Sequence, residues 1–257
     1  MKIAFKGFIA TGVLVLSILF GTAAPARAAD PHTETISFPN GKGTTSGFLA
    51  VPAKTGRFPA IVAAPEWWGL TDWVKEQTGK LAAEGYVVLA VDPYGGKVAT
   101  DATQASELSG GLTQDAAVGA LKAAYEYLAT RQDVDRDHIA AIGWGMGAGY
   151  VLRLAMIEQR MAAVIVNYGP LPTDPNDVQI IFAPLLGNFG AGDHGVTPAD
   201  VNAFQKTLIG LKHRVDIKIY DGAGHAFENP ASGDAYNPDA AADAWSRTIA
   251  FLNKTMK

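Results

Sequence analysis

The sequence predicts an α/β fold, a mostly parallel central sheet with helices on both faces. Three observations predict it. Short apolar runs such as Ala60-Ile-Val-Ala-Ala64 and Val87-Val-Leu-Ala-Val-Asp92 are continuous rather than alternating, as in strands covered on both sides. Stretches with helical spacing separate these runs. A glycine-rich segment, Gly143-Trp-Gly-Met-Gly147, joins one apolar run to one helical stretch and reads as a tight strand-to-helix turn.

In chain order, residues 35–38 and 47–51 form a leading antiparallel pair. Residues 60–64 are a buried strand ending at Pro65, and 71–84 have helical spacing. Residues 87–92 are the next buried strand, closed by Pro93. Residues 113–130 are helical, with Leu121, Ala124, Tyr125 and Leu128 on one face. The strand before Gly145 and the helix after it follow. Strands at 163–167, 184–189 and 215–220 then alternate with helices at 198–211 and 239–253. No internal repeat or low-complexity linker interrupts this order.

The bulk properties fit one domain. The chain has 257 residues, 48% hydrophobic and 18% charged, enough for one sizeable core. The first 28 residues read as a signal peptide. Lys2 and Lys6 form a positive start, Phe8 to Phe20 is apolar, and Ala26-Arg27-Ala28 is a small-x-small cleavage site. The apolar run is short for a membrane span. Residues 29–257 are then the mature domain, expected to be exported to the periplasm or secreted, with no stable membrane anchor. Loss of Lys2, Lys6 and Arg27 takes the formal charge from −4 to −7. That acidity, with no basic run, excludes a nucleic-acid surface. There are no cysteines, which excludes disulfides, thiolate metal sites, a lipoprotein anchor and a cysteine nucleophile. A monomer is expected.

In parallel sheets, functional groups gather at the carboxyl ends of the strands. Four ends here carry unusual chemistry. They are Glu66-Trp67-Trp68-Gly69, the Gly145 turn, Gly190-Ala-Gly-Asp193-His194-Gly195, and Asp221-Gly-Ala-Gly-His225-Ala-Phe227-Glu228. The turn has the frame of a nucleophile elbow, G-x-Nuc-x-G, with Gly143 and Gly147 flanking. The position between them, Gly145, has no side chain. Downstream, an acid after one late strand and a histidine after the next give the order nucleophile, acid, base. The base takes a proton from the nucleophile and returns it to the leaving group, while the acid fixes its tautomer. Here that order is Gly145, Asp193, His225.

These motifs resemble the dienelactone hydrolase family from residue 34 to 252. The resemblance is carried by Pro65-Glu66-Trp67-Trp68-Gly69, Asp92-Pro93-Tyr94-Gly95, Ile142-Gly143-Trp144-Gly145-Met146-Gly147, Gly192-Asp193 and Gly222-Ala-Gly-His225-Ala-Phe227. It implies an α/β-hydrolase fold and hydrolysis of a small-molecule ester or lactone, without metal or organic cofactor. It also implies roles. Asp193 is the triad acid, His225 the base, and Glu66 the carboxylate beside the resting nucleophile. The backbone N–H groups of Trp67 and Met146 form the oxyanion hole. The family places a cysteine at position 145, and this chain departs from it there. Ala148 replaces a frequent glycine, and the family's substrate-carboxylate arginines have no match.

Other readings compete. Gly143-x-Gly145-x-x-Ala148 fits a dinucleotide fingerprint, but the next strand ends in neutral Asn167, where an acid is wanted. Without a nucleophile, three readings stand: a hydrolase using water, a hydrolase-fold protein that binds a small ligand with impaired or no turnover, or a recent or introduced single change, since one base substitution turns a cysteine or serine codon into glycine. Ser109, Ser232 and Tyr168 are hydroxyl candidates, none on an elbow. Asp92 reads as a support, Trp67, Trp68 and Tyr94 as pocket or core. His32, His138 and His213 read as structural or surface, and Glu228 as a loop anchor or solvated.

Overall fold

The computed structural model describes residues 30–257 together with Met1, Ile3, Ala4 and Gly7. The segment read as a signal otherwise lies outside the described residues. The chain runs β1 (His32–Asn40), β2 (Gly43–Val51), β3 (Phe58–Ala64), α1 (Asp72–Ala83), β4 (Val87–Asp92), α2 (Ala102–Gly111) and α3 (Gln114–Thr130). It continues with β5 (Val134–Trp144), α4 (Met146–Ile157), β6 (Ala163–Asn167), α5 (Pro175–Val178), β7 (Leu185–Gly190), α6 (Pro198–Gly210), β8 (Val215–Tyr220) and α7 (Pro238–Met256). A 3-10 segment, Pro230–Ala235, precedes α7.

The strands form one sheet in the order β1-β2-β4-β3-β5-β6-β7-β8. The β1–β2 and β2–β4 pairs are antiparallel, and all others are parallel. The expected antiparallel entry and parallel body are both present. The chain reverses its direction of travel across the sheet at β3, which lies between β4 and β5. Such a switch point leaves a crevice beyond the strand ends.

Alternation along the strands builds two cores. Ala60, Val62 and Ala64 belong to the core on the face covered by α3, α4 and α6, which also holds Leu121, Val151 and Phe204. Ile61 and Ala63 face α1 and α7, packing with Val74, Leu81 and Leu252. Each residue named here is 4% exposed or less, so the strand runs read as doubly covered are so. Thr71, Thr113 and Thr197 cap α1, α3 and α6 by accepting backbone N–H bonds from Val74, Ala116 and Asp200. The exception is α4, whose cap is Gly145 and makes no side-chain hydrogen bond.

Two helices have no counterpart in the sequence reading. α2 buries only Ala105 among its ten residues, so it lacks the apolar stripe that periodicity detects. α5 spans one turn and starts from an Asp174 cap and Pro175.

Candidate active site

The parallel register brings the candidate residues to one level. Ala64 pairs with Gly143, Trp144 with Asn167, and Asn167 with Asn188. The segments that follow these strands, carrying Glu66, Gly145 and Tyr168, therefore leave the sheet side by side. The Gly145 N–H donates to the Asn167 carbonyl at 3.0 Å, tying the elbow to β6. Asn167, the residue that argued against a dinucleotide site, thus supports the turn.

Glycine is required beside the elbow for steric reasons. A β-carbon on Gly147 would lie 2.3 Å from the Ala64 carbonyl oxygen, and one on Gly143 would lie 2.5 Å from the Gly147 carbonyl carbon. Those glycines let α4 begin against the end of β3. Gly147→Ala is expected to lower stability by about 1–3 kcal/mol through overpacking, read as a shift in denaturation midpoint. An unchanged midpoint would mean that the close approach carries no strain.

Gly145 is a different case. Its backbone lies at φ 51° and ψ −119°. A β-carbon there would stand 3.7 Å from His225 Nε2, 3.8 Å from Glu66 Cγ and 3.9 Å from Tyr168 Cε2, all ordinary contacts. Packing leaves room for a side chain, and only the left-handed backbone resists one.

His225 and Asp193, separated by 32 residues, meet at the strand ends. His225 Nδ1 lies 2.8 Å from Asp193 Oδ2, and a carboxylate can only accept. Nδ1 therefore carries the proton, and Nε2 faces position 145. Asp193 is 2% exposed, and its Oδ1 accepts from the Gly195 and Val196 N–H groups at 2.8 and 3.0 Å. Burial alone would raise the Asp193 pKa, but these bonds and His225 outweigh it and hold the carboxyl below its ordinary range. The Asp193 hydrogen bond in turn raises the His225 pKa above 6.5 against partial desolvation, with a smaller contribution from Glu66. Tyr168 at φ 42° and Ala226 at φ 61° are two of the three non-glycine residues with positive φ among the described residues. Backbone strain thus concentrates around His225.

Glu66 is 3% exposed. Its Oε2 accepts from Asn229 Nδ2 at 2.7 Å and its Oε1 from the Tyr168 hydroxyl at 3.3 Å. Burial pushes its pKa up, against both hydrogen bonds and the His225 charge. Asn229 was not singled out in the sequence. Its only signal is a polar residue four positions after His225, immediately before Pro230. Tyr168, weighed only as a nucleophile, instead donates to Glu66 and sets its ring edge-on to His225 at 5.5 Å.

Met146 opens α4, so its N–H has no intrahelical acceptor. Among the described residues, neither it nor the Trp67 N–H has a protein acceptor. Both residues line a cavity of about 540 Å³ together with Gly145, Tyr150, Arg153 and His225. The Tyr94 hydroxyl lies 3.0 Å from the Trp67 carbonyl and 3.6 Å from Met146 Sδ, bridging the two segments. Asp92 holds that loop, accepting from the Tyr94 N–H at 3.0 Å, the Ser46 hydroxyl at 3.1 Å and the Gly96 N–H. It supports the site, as the sequence suggested.

Glu228 is an anchor. Its Oε2 accepts from the Trp144 indole at 3.2 Å, joining the His225 loop to the residue before Gly145. Ser109 lines the cavity rim, Ser232 donates to the Asn229 carbonyl, and His138 pairs with Asp135 at 2.9 Å near the surface. None of these three stands at the elbow. Among the described residues, no group of three His, Asp or Glu side chains is placed to hold a metal.

The sequence profile of the dienelactone hydrolase family matches residues 45–256. A Saccharolobus solfataricus protein provisionally named carboxymethylenebutenolidase is 30% identical over 253 residues, covering 82% of this chain and 94% of its own. A Bradyrhizobium protein, provisionally named 2-oxo-3-(5-oxofuran-2-ylidene)propanoate lactonase, is 29% identical over 221 residues, covering 80% of this chain and 87% of its own. Among solved structures, a dienelactone hydrolase-like promiscuous phosphotriesterase from metagenomic libraries superposes with a TM-score of 0.82 at 25% identity. That match covers 89% of this chain and all of the other.

Proposed function

Because this chain belongs to the dienelactone hydrolase family, an α/β-hydrolase family of ester and lactone hydrolases, we propose that it hydrolyses a small carboxylic ester or lactone with water as the nucleophile. One observation carries the reading. His225 Nε2, oriented by Asp193, points at the β-carbon position of residue 145 from 3.7 Å. In the proposed step, Nε2 takes a proton from a water held there, and the resulting hydroxide attacks the substrate carbonyl. The Trp67 and Met146 N–H groups receive the developing oxyanion. His225 then returns the proton to the leaving oxygen. Glu66 favours the imidazolium formed between these transfers. The reading needs no metal or organic cofactor.

The oxyanion hole and binding alone leave roughly 10³–10⁴-fold catalysis over water in a triad without its nucleophile, and general-base activation of the water by His225 adds to that. Hydrolysis of aryl acetates and small lactones by the native protein and by His225→Ala tests the reading. The variant is expected to lose about 10²–10⁴-fold. The base must be neutral, and Asp193 raises its pKa. Activity should therefore fall with acidification along a limb centred above 6.5. Activity that survived His225→Ala would remove His225 as the base. An inactive native protein would favour the second reading, a ligand-binding protein without turnover, which the missing side chain at 145 supports.

The same proposal places the protein outside the cytoplasm. The support is the Lys2/Lys6 start, the apolar stretch and the Ala26-Arg27-Ala28 site. A mature N-terminus near residue 29 on the exported protein is expected.

A further inference from the structure

We propose that this site also transfers the acyl group of its ester to small uncharged thiols, forming a thioester. This rests on the hydrolase reading, because it uses the same base and the same oxyanion donors.

The argument starts from the room at position 145. A β-carbon there would meet its three nearest neighbours at 3.7, 3.8 and 3.9 Å, with nothing closer. The position thus accepts a side-chain-sized atom in ordinary van der Waals contact, with no neighbour displaced. A free molecule is not bonded to the Gly145 Cα and must stand farther out. The cavity of about 540 Å³ that Gly145 and His225 both line gives its alkyl part a place. The backbone that would position a covalent nucleophile is kept, with Gly145 held at φ 51° by its N–H bond to the Asn167 carbonyl.

Chemistry then selects among small nucleophiles. A thiol ionises near 8.5, whereas bulk water ionises near 15.7, so His225 deprotonates a thiol against a far smaller gap. Sulfur is also the stronger nucleophile once ionised. The thiol is taken as uncharged elsewhere, because Glu66 and Asp193 stand near the position and Arg153 lines the same cavity, so that neither sign of charge is selected. In the proposed step, the sulfur attacks the ester carbonyl carbon as its proton passes to His225 Nε2. The C–S bond forms and the tetrahedral oxyanion rests on the Trp67 and Met146 N–H groups. The C–O bond then breaks, and the proton goes from His225 to the departing alcohol or phenol oxygen. No redox partner is needed.

The test uses the whole protein with 4-nitrophenyl acetate as donor and ethanethiol as acceptor. Released nitrophenol and S-ethyl thioacetate are both quantified, and the uncatalysed thiolysis is subtracted. Thioester is expected as the major product. Thioester formation should drop to background in His225→Ala. It should also fall in Gly145→Ala, where the new methyl group occupies the position. Hydrolysis that continued with no thioester, at any thiol concentration, would overturn the transfer while leaving the hydrolase reading standing. Thioester without hydrolysis in the absence of thiol would support the transfer and overturn water as the nucleophile. Neither product would overturn both. Thioester formation equal in native and His225→Ala proteins would show that the site plays no part.

Discussion

Gly145→Cys is expected to raise kcat for aryl esters by on the order of 10³-fold or more. The estimate comes from the reverse change in a comparable triad, where removing the nucleophile costs about 10⁶ in kcat. Everything else that the step needs is in place. The new β-carbon would sit at van der Waals distance from His225, Glu66 and Tyr168, so no neighbour has to move. One further C–S bond brings the sulfur within reach of His225 Nε2. The imidazole is already held in the correct tautomer by Asp193 at 2.8 Å. Strain acts on stability rather than on rate, since φ 51° costs any residue with a β-carbon about 1–3 kcal/mol. The variant should thus be faster and slightly less stable. A burst of nitrophenol and an acetylated protein detected by intact mass would mark the covalent step. No gain in rate and no acylation would mean that the elbow does not present residue 145 to the substrate.

The contrast among three neighbouring glycines shows what the sequence revealed about this site. Gly143 and Gly147 were legible because a fixed steric demand produces a fixed pattern, and the structure places backbone atoms 2.5 Å or less from their missing β-carbons. Asp193 and His225 were legible for a related reason. Chain order and strand ends determine where such residues emerge, and the register of β7 and β8 brings the segments carrying these two together. The strands were easiest, since double burial removes alternation and leaves continuous apolar runs. What escaped notice was the polar support. Asn229 and the Tyr168 hydroxyl hold Glu66 across 163 and 102 residues of sequence. Such contacts are set by the three-dimensional path of two loops and leave no local periodicity. α2 escaped because a helix lying on the rim with one buried residue has no apolar face to read.

Glu228→Gln is expected to change the pH dependence of stability. Burial pushes the Glu228 carboxyl up to about 8, with the Trp144 indole opposing and the Glu66 charge assisting. Its Oε1 is buried without a hydrogen-bond partner, so ionisation there gains nothing to offset lost hydration. The sign follows from linkage. Between the ordinary value of 4.5 and about 8, the folded chain keeps this proton and the unfolded chain has lost it. Stability from this group is fully present below 4.5 and declines as pH rises, with a limiting slope of about 1.4 kcal/mol per pH unit. Above 8 both states are ionised and the slope vanishes. Glutamine keeps an acceptor for the Trp144 N–H and cannot ionise, so it removes that decline. The difference in Tm between Glu228→Gln and the native protein should therefore grow in the variant's favour from pH 5 to pH 9 and then level off. A difference that stayed constant across that range would mean that Glu228 is ionised in the folded protein at neutral pH. Its bond to Trp144 would then act as a charged anchor between the His225 loop and the elbow.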